Sequence, residues 1–561
     1  MAAETEKRRP SVVYGPRAPV TLTLTFGQLL DHHAKTRPQS PAVISHVQGR
    51  TIDYKELCDR SISLAKAMKG AGIRKGSKVG IISGTRIEYL EVFFATARLG
   101  AALILFNYAY TDSELVQLIK SIEPIMIFAP PGFARYDYNK ALRKAQDSVA
   151  SLKHFILFDD IFKKHQSSSL KFENYETFLK SKPAGSWSDD PSISAHDMVN
   201  IQFTSGSTGP NLLSRTPIPL IRMIVAISTS TVCGSSLVFP SELFDPTAAL
   251  LCIEKYKCTA LYGVNTMFIT EMSAKAFKST NKSSLKFGIV AGSPMPPEFL
   301  RRVMKEFEIP RIYTCWGMTE LSSFVTMMHE TDPWDKRIHT TGRLFPHFIL
   351  KIVEPNGTKT LPWGERGEIV VSGYGQMAEY IGNKEKTEEA LRYHDEDLEE
   401  GGVGGVEGRG SQTLRPWMHT GDEGVLDADG YLVFTGRIKD LIIRGGENIA
   451  PLEIEQRLND MEAIAQASIV GVPDDKYGEA VGAFLELKEG RDKPSDDEIK
   501  KWVKDELAYF KAPTWIWWLG DGDVPEEWPK TMSGKVSKPE LRKLVEEKLI
   551  KKDGKKEKAK L

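Results

Sequence analysis

Residues 204–211, TSGSTGPN, form the first stretch whose side chains could hold an anion. Gly206 and Gly209 admit positive φ and let a ligand approach the backbone closely. The hydroxyls of Thr204, Ser205, Ser207 and Thr208, with the neighbouring amides, can donate to phosphate oxygens. The loop is not a Walker A loop, because no Gly-Lys-Ser/Thr run follows it. Taken alone, such a cluster is more often a turn. A short strand-like run, MVNIQF, precedes it and could aim it at a ligand.

The elements around the loop predict how it is positioned. Residues 26–160 alternate helix-like stretches (FGQLLDHHAK, YKELCDRSISLAKAMKGAG, IEYLEVFFATARLG, DSELVQLIKSI) with strand-like ones (AVISH, KVGIIS, AALILFN, IMIFAP). Repeated β-α units imply a parallel or mixed sheet covered by helices. LKFGIVAGS and RIYTCWG are strands ending in small residues, and open α/β sheets place ligands at such strand ends. Residues 393–416 are Gly-rich and acidic, which reads as a loop or linker. A second compact unit begins near Gly436, with helices near 451–460 and 495–508 and strands near 465–472, 480–488 and 514–519.

Composition narrows the function classes. The chain has 561 residues, enough for two or more domains. Lys plus Arg (74) balances Asp plus Glu (74), which argues against a broad nucleic-acid or anionic-membrane surface. Cys58, Cys233, Cys252, Cys258 and Cys315 are scattered without a CxxC pair, so neither a disulfide framework nor a zinc site is expected. The most apolar stretch, 217–239, is broken by Arg222 and Gly234, so no transmembrane span is expected.

Four further stretches give the loop a context: YTCWGMTE (313–320), WMHTGD (417–422), GRIKDLIIRGGENIAP (436–451) and PKTMSGK (529–535). In this order and spacing they resemble the adenylate-forming superfamily, and the runs FDPTAALLCIEKYKCTALYGVNTMFITEM and KYGEAVGAFLELKEG resemble in detail its medium-chain fatty-acyl-CoA synthetases. The resemblance implies an α/β fold, with a large N-terminal domain of layered β-sheets and helices and a small α+β C-terminal domain. It divides the chain into an extension (1–20), an adenylation domain (21–438, with 393–416 as an insertion), a mobile C-terminal domain (439–545) and a lysine-rich tail (546–561). It implies that a carboxylic acid is joined to ATP as an acyl-adenylate and passed to coenzyme A, with Mg2+ on the phosphates.

Residue by residue, the resemblance gives Thr204, Ser205, Gly206, Ser207, Thr208 and Gly209 to the phosphates and Glu320 to magnesium. Thr319 matches the donor to the α-phosphate. Gly292, Ser293, Pro294, Trp316 and Gly317 match the adenine site, Trp316 standing where tyrosine is commoner. Asp422 matches the carboxylate that accepts both ribose hydroxyls, and Arg437 the ribose- or phosphate-contacting arginine. Lys535 matches the catalytic lysine, whose ammonium bridges carboxylate and α-phosphate. Lys439 matches the hinge, and Gly445 and Gly446 the segment that admits the pantetheine arm.

The sequence also departs from the pattern. Asn211 stands where the family has lysine, and the segment from the loop to PSELFDP is shorter by more than a helix. Ile221-Arg222-Met223 falls where an aromatic-His run belongs beside the acyl pocket. These changes touch phosphate cradling, the helix covering the loop and the acyl-pocket wall. A lost block here and a gained one at 393–416 are the marks of a faulty gene model or a decayed paralogue. Two other readings therefore stand beside the synthetase: a nucleotide-binding remnant, and an adenylating enzyme with an acceptor other than CoA. No carrier domain follows the small domain, which favours CoA.

Ala559-Lys560-Leu561 follows a basic run and has the small-basic-leucine pattern of a peroxisomal address, implying an import receptor as partner; a cytoplasmic location is the alternative. Deleting these three residues from an N-terminally tagged chain should move its fluorescence from peroxisomes to cytosol. An unchanged location contradicts the reading.

Overall fold

The computed structural model describes all residues except 1–8, 109, 134–135, 159–171, 182, 184, 205–211, 217–222, 291–296, 395–415, 446, 475, 531–535 and 550–561. The repeated β-α pattern folds as the sequence implies. An eight-stranded sheet runs, in spatial order, Phe172–Asn174, His154–Leu157, Met126–Ala129, Lys78–Ile82, Ala102–Phe106, Asn200–Thr204, Leu212–Thr216 and Glu379–Tyr380. Its first six strands are parallel and the last two join antiparallel.

Helix Ile87–Arg98 is buried along its whole length against this sheet's core. A helix buried on every side needs partners for its charges. Glu91 is bound by Arg60 at 2.6 Å and by the Tyr175 hydroxyl at 2.6 Å, and Arg98 is bound to Asp31 at 2.6 Å. The capping boxes Thr25/Gln28, Thr111/Glu114 and Ser495/Glu498 start three of the helices, each satisfying two orphan backbone donors.

A second sheet pairs Ala260–Gly263, Phe287–Val290 and Ile312–Trp316 in parallel, then Thr326–Met327 and Arg343–Leu344 antiparallel. A third, antiparallel sheet orders Val12–Tyr14, Phe348–Val353, Gly367–Gly373, Trp417–Leu426 and Leu391–Arg392, with Leu432–Arg437 also on Trp417–Leu426. Val12–Tyr14 of the N-terminal extension is thus a working edge strand of the large unit. The last sheet is built from residues after Asp440: Glu447–Ile449, Ile442–Arg444, Gly478–Leu487, Ile464–Asp474 and Trp515–Trp518. It has its own cores, around Ile454, Ile469 and Val481 on one face and Phe484, Trp517 and Leu541 on the other.

Leu212–Thr216 pairs antiparallel with Asn200–Thr204, Thr204 standing opposite Leu212. Helix Met223–Cys233 follows. It is docked on the first helices through His33 Nε2 and Thr231 O at 2.6 Å, while the Tyr54 hydroxyl donates to Ser235 O at 2.8 Å just beyond it. The five cysteines are free thiols. Among the described residues no helix is long and apolar enough to cross a membrane.

Candidate active site

The end of strand Ile312–Trp316 turns sharply into the one-turn helix Thr319–Leu321. Gly317 permits this turn: a Cβ there would lie 2.0 Å from the Ser323 carbonyl oxygen. The turn brings Glu320 inward, where it is 7% exposed. The Tyr380 hydroxyl donates to Glu320 Oε1 at 2.9 Å, and the Met377 amide donates to its carbonyl at 2.7 Å. Burial pushes the Glu320 carboxyl above its ordinary range; Tyr380 and Arg437 oppose this, while Asp422 adds to it. Glu320, Asp422 and Arg437 therefore lie in one another's field.

Asp422 and Arg437 are opposite residues of the strand pair Trp417–Leu426 and Leu432–Arg437. Arg437 Nε lies 3.3 Å from Asp422 Oδ1. On its other side the Asp422 carboxylate accepts the Trp316 indole N–H, Oδ2 to Nε1 at 3.0 Å. The carboxylate is thus fixed between an indole and a guanidinium, the latter half exposed. Trp316 itself is buried with Leu321, Val325 and Leu344, so its ring is also part of the core.

The strand beside the phosphate loop meets the same place. Ser214, just past the loop, is paired with Tyr380, the partner of Glu320. Lys439 lies in the one-turn helix Ile438–Asp440, immediately after Arg437. Burial, then Arg437, lower its ammonium pKa, with Asp440 opposing. The structure thus groups Trp316, Glu320, Asp422 and Arg437, with Gly317 and Thr319 in the intervening turn and Lys439 next to them. Gly445 stands apart, at φ +59° in a turn whose amide donates to the Tyr477 carbonyl at 2.7 Å.

Ser205, Gly206, Ser207, Thr208, Gly209, Gly292, Ser293, Pro294, Gly446 and Lys535 lie outside the described residues, as does the side chain of Thr204. Their flanks are placed. Residues 291–296 follow Val290 at a strand end, and 531–535 are spanned by a bridge between Lys530 and Val536.

Sequence reasoning missed Tyr380, Glu368 and His394. Tyr380 carries no local signal, because its role comes from an edge-strand pairing. His419 was visible inside HTGD but had no partner in sequence; in the structure its Nδ1 lies 3.0 Å from Glu368 Oε2.

The residues fit a magnesium ion held jointly with substrate phosphates. Glu320 is a single buried carboxylate whose charge burial disfavours, which a cation would offset. Among the described residues no group of three His, Cys, Asp or Glu could form an all-protein cage.

Comparison with known proteins shows the family. The family model described as AMP-binding enzyme matches residues 30–211 and 213–381, and that for the AMP-binding enzyme C-terminal domain matches 453–535. The first match is interrupted at Leu212. Acyl-CoA ligase SID4 of Ajellomyces capsulatus is 35% identical over 95% of this chain and 93% of its own length. The mitochondrial medium-chain acyl-CoA ligase ACSF2 of Danio rerio is 29% identical over 96% and 91%. The crystal structure of the anthranilate CoA ligase AuaEII with anthranoyl-AMP superposes with a TM-score of 0.77 at 20% identity, covering 94% of this chain and 98% of that one.

Proposed function

The chain belongs to the family of AMP-binding enzymes, and on that premise we propose how its own residues carry out the reaction. It is an acid–thiol ligase. The substrate carboxylate attacks the α-phosphorus of ATP and pyrophosphate leaves. The thiol of coenzyme A then attacks the acyl-adenylate carbonyl and AMP leaves.

One observation carries the assignment of residues: the Asp422 carboxylate is held between Trp316 and Arg437, with Glu320 in the same field. A carboxylate fixed this way is set to accept the two ribose hydroxyls, with Arg437 reaching the ribose or phosphates. Adenine lies against Trp316 and Gly317 with Gly292, Ser293 and Pro294 opposite. Thr204–Gly209 and Thr319 donate to the phosphates, and Lys535 spans the carboxylate and α-phosphate as charge develops. Glu320 would hold magnesium, which when bound neutralises charge on the phosphate oxygens. Gly445 and Gly446 line the pantetheine path.

The substrate we assign is a medium-chain fatty or related acid. The relative named as a medium-chain acyl-CoA ligase, matched along nearly its full length, supports this. Delivery to peroxisomes belongs to the same proposal. Incubating the purified chain with ATP, Mg2+, CoA and acids of two to sixteen carbons should give acyl-CoA masses peaking in the middle of that range. A peak at either end contradicts the assignment of substrate. Asn211, standing where the family has lysine, favours one second reading, a protein that binds nucleotide without turnover. Its mark is AMP binding with no acyl-CoA from any acid.

A further inference from the structure

Behind the strand that carries Asp422 lies a chain of buried polar groups. Glu368 is 5% exposed, His394 1% and His419 7%. His419 Nδ1 lies 3.0 Å from Glu368 Oε2, and His419 Nε2 lies 3.0 Å from His394 Nε2. The other Glu368 oxygen accepts the Gly421 amide at 3.0 Å. The Thr420 hydroxyl donates to the Ile369 carbonyl at 2.6 Å, and it accepts the Asp422 amide at 3.1 Å. At the far end the His394 ring stacks on Trp417 at 5.7 Å and 27°, and the Lys351 ammonium sits 4.4 Å from the centre of the same indole.

With Glu368 ionised and His419 neutral, the contacts fit one proton arrangement. A Glu368 carboxylate requires His419 to donate from Nδ1. A neutral His419 then has only an acceptor at Nε2, so His394 donates from its own Nε2. One proton fits between two nitrogens 3.0 Å apart, so the order is set from Glu368 outward. Both Glu368 oxygens thereby hold the HTGD backbone, one through the His419 ring and one through the Gly421 amide. Gly421 takes φ +66°, where a side chain would be strained, so the turn relies on outside contacts to stay fixed. The next residue is Asp422, already pinned by Trp316 from the front.

We infer that Glu368, His419 and His394 are positioning residues that set the nucleotide affinity of the site by fixing the backbone beneath Asp422. The inference rests on the reading of Asp422 as the ribose acceptor. A displacement of an ångström or less is enough to spoil a two-hydroxyl contact.

The test separates ribose recognition from general stability by using AMP and 2′,3′-dideoxyadenosine monophosphate, titrated calorimetrically into the full chain. The wild type should prefer AMP, and Asp422→Ala should abolish the preference. Glu368→Ala should weaken AMP roughly tenfold while leaving the dideoxy analogue unchanged. Glu368→Gln should restore most of the preference, because its oxygen can accept from Gly421 while its amide donates to a His419 of the other tautomer. His394→Phe keeps the stack on Trp417 but removes the donor, and should reduce the preference by a smaller factor. It also serves if Glu368→Ala does not fold. Folded Glu368→Ala and His394→Phe proteins that keep the full preference overturn the inference. A preference that survives Asp422→Ala overturns the ribose reading instead.

Discussion

Lys535→Ala should lower carboxylate-dependent ATP–pyrophosphate exchange by about a hundredfold or more, with nucleotide affinity little changed. The reason is where charge appears. In the adenylation transition state the attacking carboxylate and the α-phosphate oxygens share negative charge over a short distance. A single ammonium between them stabilises that state more than either ground state, and removing one such group costs about 10²–10³ in rate. The bridge between Lys530 and Val536 and the bond from the Ser537 amide to the Pro529 carbonyl close the base of the segment bearing Lys535. The helix Lys538–Leu544 beyond it is tied to the hinge by Arg542 and Asp440 at 3.1 Å. Both flanks of the segment thus belong to the small domain. Exchange assays on wild type and variant with equal melting temperatures read the effect. A loss below tenfold would show that Lys535 does not act at the α-phosphate.

Lys439→Pro should separate the two half-reactions. Proline fixes φ near −65°, restricts the preceding residue and removes an amide donor, so a junction that must change φ and ψ is held in one setting. Arg366 reaches across to Glu453 at 2.6 Å, but the arginine is 46% exposed, and partly solvated pairs of this kind contribute about 0–1 kcal/mol. The resemblance to adenylate-forming enzymes puts the turning point between the units at Lys439, so proline there is the substitution expected to stop rotation. In single-turnover experiments, thioester formation should fall at least about tenfold more than acyl-adenylate formation. Equal loss of both would remove the hinge role.

The features legible in the sequence are those that local chemistry fixes. Apolar runs bounded by Gly and Pro gave most strands and helices of the eight-stranded sheet and of the small C-terminal unit, because burial acts on periodicity. HTGD and GRIKD were readable together because Asp422 and Arg437 lie only fifteen residues apart and face each other across one strand pair. The Trp316 bond to Asp422 spans 106 positions and depends on two sheets meeting, so only the resemblance brought these residues together. The link from Glu368 to His419 spans 51 positions with no local mark at either end. The shortened region read as damage beside the loop. The structure shows that Leu212–Thr216 still closes the sheet edge and reaches Tyr380, because a strand needs only backbone pairing and tolerates a changed sequence.

The most direct test of the account is carboxylate-dependent exchange of pyrophosphate into ATP by the purified full chain, run across short to long fatty acids with Lys535→Ala alongside. Exchange that depends on the acid, is strongest for medium-chain acids and is lost in the variant is the predicted result. No exchange with any acid, from a protein that melts cooperatively and binds AMP, would contradict it and leave a nucleotide-binding protein that does not activate acids.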